Sequence, residues 1–282
     1  MAEHRKFRGT QIPERLRPLL PLLPLFLVLV TAILLWGREP KEEEKTLYLS
    51  LVTEEAPLQL VTAEQLDQMA YLDSNMGEVG WIYTEQSLTE LNRVLREYEI
   101  TTPEEISQFL AQAAVETAAG RWLTELGDEE YFQRYGYSTG TRGAGYLHLT
   151  FEYGQMAFAT WMMKRYIPAL EQIQYVSPAN SGEEDIAAAY YAALQAAANL
   201  GVNVSRYSRI VFDSNSPVTT GADYIAENFA WESAGYYWVA AGIGKALAAG
   251  DTDAVSHLVG GSNWQSRREA YAAFYPILSG TS

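Results

Sequence analysis

The sequence predicts a mainly α-helical domain that follows one N-terminal membrane-spanning helix. Apolar residues recur at helical spacing in segments that begin with capping residues. The chain shows no internal repeat and no alternation of strands with helices, which argues against a parallel sheet. Residues 19–36 form an uncharged apolar run. The 282 residues are 48% hydrophobic and 20% charged, which is the composition of a globular protein.

The segment of residues 19–36 has the length of a membrane-spanning helix. At about 1.5 Å per residue it would extend about 27 Å, just enough to cross the hydrocarbon core. Five cations precede it, so the positive-inside rule keeps residues 1–18 in the cytoplasm and exports the rest. A cleavable signal peptide is the alternative, but LLWGREPKEEEK offers no small-residue cleavage site. We therefore expect a single-pass bacterial membrane protein with a stalk at 37–61 and an exported domain at 62–282.

The composition of the exported part excludes several kinds of chemistry. The net charge of the whole chain is −15. Residues 1–36 carry five cations and two anions, a net charge of +3, so residues 37–282 carry a net charge of −18. Such an acidic domain repels nucleic acids. The chain has no cysteine and only three histidines, His4, His148 and His257. We therefore expect no disulfide, no metal centre and no cofactor, and any catalysis would rest on carboxylates.

Capping signals mark two of the predicted helix starts. Thr62 and Gln65 form one capping box. Thr102 and Glu105 form another, with Pro103 at the first helical position. An amphipathic helix is predicted at 84–100 and a glycine-rich loop at 120–145. Three further helices are predicted: 183–200, ended by Gly201; 232–251, ended by Gly250; and 265–275, ended by Pro276.

The helix after Thr102 carries a carboxylate at the end of its apolar face. That face consists of Ile106, Phe109, Leu110 and Ala113. Glu116 is its next inward position, so we expect burial to raise the pKa of Glu116. Gln112 lies one turn earlier and can reach it. Ala118-Ala119-Gly120 allows the chain to turn, so that Glu125 can face Glu116 as the ionised partner that glycoside hydrolysis requires.

Four segments follow one another along the chain in this order: FLAQAAVET (109–117), GAGYLHLT (143–150), ESAGYYW (232–238) and VGGSNWQSRREAYAAF (259–274). Together they resemble the family 19 glycoside hydrolases, which include chitinases and lysozyme-like endolysins of phages and bacteria. The similarity runs from about Thr62 to Tyr275. It implies a lysozyme-like, chitinase-type helical domain with a central cleft.

The resemblance also implies roles for individual residues. Glu116 matches the general acid, Glu125 matches the second glutamate, and Thr150 matches the hydroxyl residue that helps to hold the attacking water. The residues expected to contact the substrate are Gln112, Tyr146, His148, Gly261 and Asn263. For Tyr146 the alternative is a place in the core, and for His148 it is a structural histidine bonded to the backbone.

Four cleft positions depart from the family pattern. Val115 stands where the family has histidine, Ala144 replaces arginine, His148 replaces glutamine, and Gly154 stands where asparagine is usual. Three functions therefore stay open. The first is an anchored, inverting hydrolase of β-1,4-linked, N-acetylglucosamine-containing polysaccharide, with peptidoglycan favoured over chitin. The others are a weak or inactive glycan-binding module that tethers a wall-associated complex, and an endolysin released from its anchor.

The charge pattern before residue 19 predicts the topology of the chain. The full-length protein should pellet with membranes and resist carbonate extraction, because the uncharged helix remains in the bilayer. External protease should remove the domain after about Arg38 and leave the N-terminal residues protected. A soluble product that begins between residues 37 and 45 would instead indicate signal-peptide cleavage.

Overall fold

The computed structural model describes residues 59–244, 251–261 and 263–281. These residues belong to one compact unit, Gln59–Ser282. The predicted cytoplasmic segment, the predicted membrane helix at 19–36 and the stalk up to residue 58 lie outside the described residues. Within the three described ranges, no helix is long and apolar enough to cross a membrane.

The described part of the chain is mainly helical, as predicted, with eleven α-helices and one small antiparallel sheet. The elements are α1 (Ala63–Gln68), β1 (Ala70–Asp73), β2 (Gly77–Gly80), α2 (Glu85–Glu97), α3 (Pro103–Thr117), α4 (Glu129–Arg134), α5 (Glu152–Tyr166), α6 (Glu183–Asn199), α7 (Ser205–Ser208), α8 (Gly221–Asn228), α9 (Ala230–Ala240), α10 (Thr252–Val259) and α11 (Trp264–Ser279). In the sheet, Ala70 pairs with Gly80 and Asp73 with Gly77.

The helix starts follow the predicted caps. The Thr62 and Thr102 side chains both accept the backbone N–H three residues on, and both capping boxes are closed by Gln65 and Glu105. The Ala-rich helix α6 ends just before Gly201, whose φ of 73° suits glycine. Local chemistry therefore sets these boundaries.

Two predicted helix ends are wrong. The helix predicted to run to Gly250 ends at Ala240, where Gly242 adopts a φ of 72°, and α10 starts anew after the Asp251 cap. The last helix does not stop at Pro276 but continues to Ser279. Proline costs that helix one hydrogen bond, but the side chains after it, Ile277 and Leu278, pack against the core and offset the loss.

Helix α3 lies at the centre of the core and is buried along most of its length. Helix α11 packs along it, and aromatic rings close the other side. Phe109 meets Trp238 edge-on at 5.4 Å between ring centroids and lies 5.8 Å from Trp231. Because α3 is fixed on several sides, Glu116 in its last turn has a well-defined position.

An ion pair with a buried carboxylate joins α2 to α9. Glu232 is 1% exposed and accepts hydrogen bonds from Arg93, from the Tyr98 hydroxyl at 2.6 Å and from the Tyr166 hydroxyl at 3.0 Å. Burial, and next the charge of Glu232, raise the pKa of Tyr98 well above its usual range. The carboxylate of the ESAGYYW segment is thus enclosed by protein donors and has a structural role here.

The compact unit begins at Gln59, slightly before the Thr62 boundary drawn from the sequence. The buried Asn92 side chain accepts the backbone N–H groups of Leu60 at 2.7 Å and Val61 at 2.9 Å. Its amide donates to the carbonyls of Val61 at 2.8 Å and Leu88 at 3.0 Å. One side chain therefore ties the start of the domain to α2.

Replacing Asn92 by alanine should lower the free energy of unfolding by about 2–3 kcal/mol, because buried backbone groups lose their partners. Urea unfolding of residues 38–282, followed by tryptophan fluorescence, measures this difference. Asn199→Ala is the matched control: Asn199 is exposed at the end of α6, so its change should stay within about 0.5 kcal/mol. Equal effects of the two variants would contradict the assigned role of Asn92.

Candidate active site

A buried guanidinium organises the candidate site. Arg267 on α11 has a side chain only 2% exposed and donates through Nη2 to Glu116 Oε1 and through Nη1 to Gln112 Oε1. The Gln112 amide in turn donates to Ser256 Oγ at 3.2 Å. Gln112 is fully buried, so the structure places this predicted substrate contact behind Glu116, away from any surface that a ligand can reach.

The environment of Glu116 opposes the predicted rise of its pKa. Burial of the carboxyl does raise the pKa, but the hydrogen bond from His148 and the charge of Arg267 outweigh burial and lower it. The side chain remains 19% exposed. The expectation of a raised pKa of Glu116 is therefore wrong for this structure, because it took no account of the Arg267 cation on α11.

His148 lies against Glu116 on the side opposite Arg267. Its Nδ1 is 3.5 Å from Glu116 Oε2, and its Nε2 is 3.3 Å from the carbonyl oxygen of Trp122. The residue adopts a φ of 46°, which is uncommon for a side chain with a Cβ. Backbone hydrogen bonds between Ala144 and Leu149 in both directions hold this turn. In the described structure, both ring nitrogens of His148 thus face hydrogen-bond acceptors of the protein.

Glu125 lies in the loop that follows α3 and is oriented by three donors. The Tyr137 hydroxyl donates to Oε1 at 2.8 Å and the Tyr131 hydroxyl at 3.4 Å, while the Gly143 N–H donates to Oε2 at 3.2 Å. A Cβ on Gly143 would come within 2.8 Å of His148 Cβ and 3.3 Å of Glu125 Oε2. Glycine at this position therefore lets the two side chains approach each other.

The chain turns sharply at the end of α3, between Glu116 and Glu125. Ala118, Ala119 and Gly120 have consecutive φ values of 48°, 54° and 86°. The turn is held by the Gly120 N–H, which donates to Thr117 Oγ1 at 2.9 Å. The structure thus confirms the chain reversal that the Ala-Ala-Gly sequence predicts.

Thr150 lies on the wall of an open cavity of about 440 Å³. Its hydroxyl donates to the His148 carbonyl at 2.7 Å, which fixes the side chain beside the other candidate residues. Phe151, Tyr153 and Tyr237 also line this cavity. Burial, and next the negative charge of Glu116, raise the pKa of Tyr237, as expected for a phenol near that carboxylate.

A second cavity of about 420 Å³ shares the Phe151 and Tyr153 wall with the first. Those two rings are stacked, with centroids 5.1 Å apart. Tyr137, which binds Glu125, lines the second cavity. Aromatic surface therefore extends beside both Thr150 and Glu125.

The other predicted substrate contacts lie in different surroundings. Tyr146 is 3% exposed and stacks on Trp231 with a centroid distance of 3.4 Å, so it belongs to the core, the alternative considered for it. Gly261 is exposed and close to the ion pair: a Cβ there would lie 3.5 Å from Glu116 Oε1. Asn263 is exposed at the start of α11.

Arg267 is the main site residue that the sequence analysis did not single out. It lies within the fourth matching segment, and it shares the buried face of α11 with Ala270 and Phe274 at i+3 and i+7. Each of the two helices carries a charged residue on its apolar face, a cation on α11 and the Glu116 carboxylate on α3. This pattern could have predicted that the two residues pair. Tyr137 and Tyr237 were also missed as neighbours of the two glutamates.

Among the side chains in the three described ranges, no group of three or more His, Asp or Glu residues is arranged to hold a metal ion. Comparisons with protein-family models, with curated proteins and with solved structures find no match for this chain.

The Arg267–Glu116 pair predicts a pH-dependent loss of stability. At pH 7, Glu116→Gln leaves a buried cation without its anion and should lower the free energy of unfolding by about 3 kcal/mol. The pKa of Glu116 is lowered in the folded state, so the pair stabilises the wild type above the ordinary glutamate pKa. This stability is lost as the pH falls through the folded-state pKa, and the two proteins should then converge.

Urea unfolding of residues 38–282 at several pH values between 7 and 3 measures this convergence. Glu130→Gln is the control, because that side chain is 88% exposed and its removal should change the stability by less than about 0.5 kcal/mol. A difference between wild type and Glu116→Gln that stays constant with pH would rule out the ion pair as its cause.

Proposed function

We propose that the domain hydrolyses a β-1,4-linked polysaccharide that contains N-acetylglucosamine, by an inverting mechanism with two carboxylates. The observation that carries this proposal is the grouping of Glu116 and Glu125 around His148. Their neighbours Thr150, Tyr237 and Tyr137 line two cavities with aromatic walls. Inverting glycosidases need one carboxyl group to protonate the leaving oxygen and another to activate water. The resemblance to the family 19 hydrolases assigns these roles to Glu116 and Glu125.

Glu125 has the surroundings of a general base. Its carboxylate accepts from two phenols and one backbone N–H, and these bonds fix its direction. Thr150 uses its hydroxyl proton on the His148 carbonyl, so its oxygen can accept a hydrogen bond from water. In the proposed reaction this water attacks the anomeric carbon, its proton passes to Glu125, and Glu116 protonates the leaving oxygen.

The cavity walls and the predicted topology support this substrate class. Sugar rings present C–H faces that pack on aromatic rings such as those of Phe151, Tyr153 and Tyr237. A membrane helix at 19–36 would hold the domain against the outer face of the cell membrane, where peptidoglycan is the nearest such polymer. The proposed partner is thus the cell wall, with chitin-like polymers as the alternative substrate.

One observation favours a second function, a binding module without hydrolytic activity. The ion pair with Arg267 keeps Glu116 ionised, and a carboxylate has no proton to donate. Ala144, His148 and Gly154 also depart from the family pattern. Such a module would hold glycan in the same cavities and tether a wall-associated complex.

The hydrolase and the binding module differ in whether residues 38–282 release products from peptidoglycan and chitin oligomers. The hydrolase should release shorter glycans, and NMR should show the inverted anomeric configuration in the first product. Glu116→Gln and Glu125→Gln should each lower kcat by roughly 10²–10⁴, because a proton-transfer group is lost. Glu130→Gln should retain wild-type activity.

Retention of configuration would contradict the inverting mechanism. Binding of glycan without any product at any pH would indicate the binding module instead. Wild-type turnover by Glu116→Gln would remove Glu116 from the chemistry.

A further inference from the structure

The imidazole of His148 lies between two hydrogen-bond acceptors. Nδ1 faces the Glu116 carboxylate at 3.5 Å and Nε2 faces the Trp122 carbonyl at 3.3 Å. A neutral imidazole has one N–H and can donate to only one of them, whereas the doubly protonated ring can donate to both. The geometry thus offers an acceptor to each ring nitrogen.

The surrounding backbone keeps the ring in this position. His148 has a φ of 46°, a conformation that persists in a non-glycine residue only where its neighbours enforce it. Gly143 packs against His148 Cβ, and Thr150 donates to the His148 carbonyl. A histidine held in an unfavourable backbone conformation against a carboxylate is typical of a functional position rather than of a solvated surface residue.

The charged and titratable groups around the ring come from several elements. Glu116 of α3 contacts it directly, and Arg267 of α11 binds the other oxygen of that carboxylate. Glu125 approaches across Gly143, and Tyr237 of α9 is electrostatically coupled to Glu116. Arg267 binds Oε1 of Glu116, so the other carboxylate oxygen, Oε2, is the one that faces His148.

We propose that His148 is the positioning residue that delivers the catalytic proton to Glu116 Oε2, so that the two side chains share one proton. This inference rests on the proposed function and explains how a carboxylate paired with Arg267 becomes an acid. Imidazolium and carboxylate become imidazole and carboxylic acid. Glu116 then protonates the glycosidic oxygen as its bond to the anomeric carbon breaks. Water supplies the new bond and gives a proton to Glu125, from which solvent returns it to His148.

The pH dependence of kcat/KM for the full-length chain in a mild detergent, measured on chitin oligomers and peptidoglycan, tests this proposal. When two side chains share a proton, its loss follows a macroscopic pKa that belongs to the pair and not to either residue. The alkaline limb of the wild-type kcat/KM profile should therefore lie at or above about pH 6.5. In His148→Gln the proton must reside on Glu116 alone. The limb should then move at least about 2 pH units towards acid, to the glutamate range. His257→Gln, which removes an exposed histidine, should leave the profile unchanged.

Two outcomes would overturn the proposal. A uniform loss of kcat/KM in His148→Gln without movement of the limb would indicate a substrate contact or a structural role. Movement of the limb towards alkaline pH would show that Glu116 protonates by itself, and that His148 only opposed this.

Nitrogen-15 NMR of histidine-labelled full-length chain provides a readout that does not depend on hydrolysis. At pH 6.5, the fraction of His148 with protons on both nitrogens should be larger in the wild type than in Glu116→Gln. An equal fraction in the two proteins would overturn the proton sharing. If no substrate is cleaved but this difference is found, the proposed hydrolysis fails while the His148–Glu116 pair stands.

Discussion

The requirement to neutralise one buried guanidinium constrains the arrangement of the candidate site. A charge taken out of water is tolerated only where partners surround it. For Arg267 these partners are Glu116 and Gln112, one turn apart on α3. The pairing therefore fixes the register of α11 against α3, and it places the Gly261 turn beside the carboxylate. A shift of either helix by one residue would leave the cation unpaired in the core.

The ion pairs that contain Glu232 and Glu116 differ in how completely the carboxylate is enclosed. Glu232 is enclosed by Arg93, Tyr98 and Tyr166 and has almost no exposed surface. Glu116 also binds an arginine, but part of its side chain stays open and its second oxygen faces a histidine. The first arrangement joins helices. The second leaves a partly exposed titratable oxygen beside a histidine, an arrangement in which acid–base chemistry is possible.

How much of this the sequence could predict depends on how far apart the interacting residues are. Thr62 and Thr102 mark helix starts correctly because a cap acts within one turn. The passage of α11 through Pro276 was mispredicted, since packing of the residues after it against the core decides where the helix ends. The end of α9 was mispredicted although a local signal, Gly242, marks it. Glu116, Glu125 and Thr150 were chosen from motifs, and their catalytic roles stay a prediction. The burial of Gln112 was not predicted, because it depends on Arg267, which lies far along the chain. For Tyr146, which stacks on Trp231, a place in the core was considered only as the alternative.

The abrupt end of α3 is what turns two distant glutamates into neighbours of one histidine. If the helix continued, Glu125 would lie nine residues and about 13.5 Å further along its axis. Three successive left-handed residues, beginning at Ala118, reverse the chain instead. Alanine is strained in this conformation, and the hydrogen bond from Gly120 N–H to Thr117 helps to hold it. Gly143 then allows Glu125 to approach His148 from the loop while Glu116 approaches it from the helix. The local cost of an unusual turn is thus linked to an arrangement in which a paired carboxylate and a second carboxylate both lie near His148.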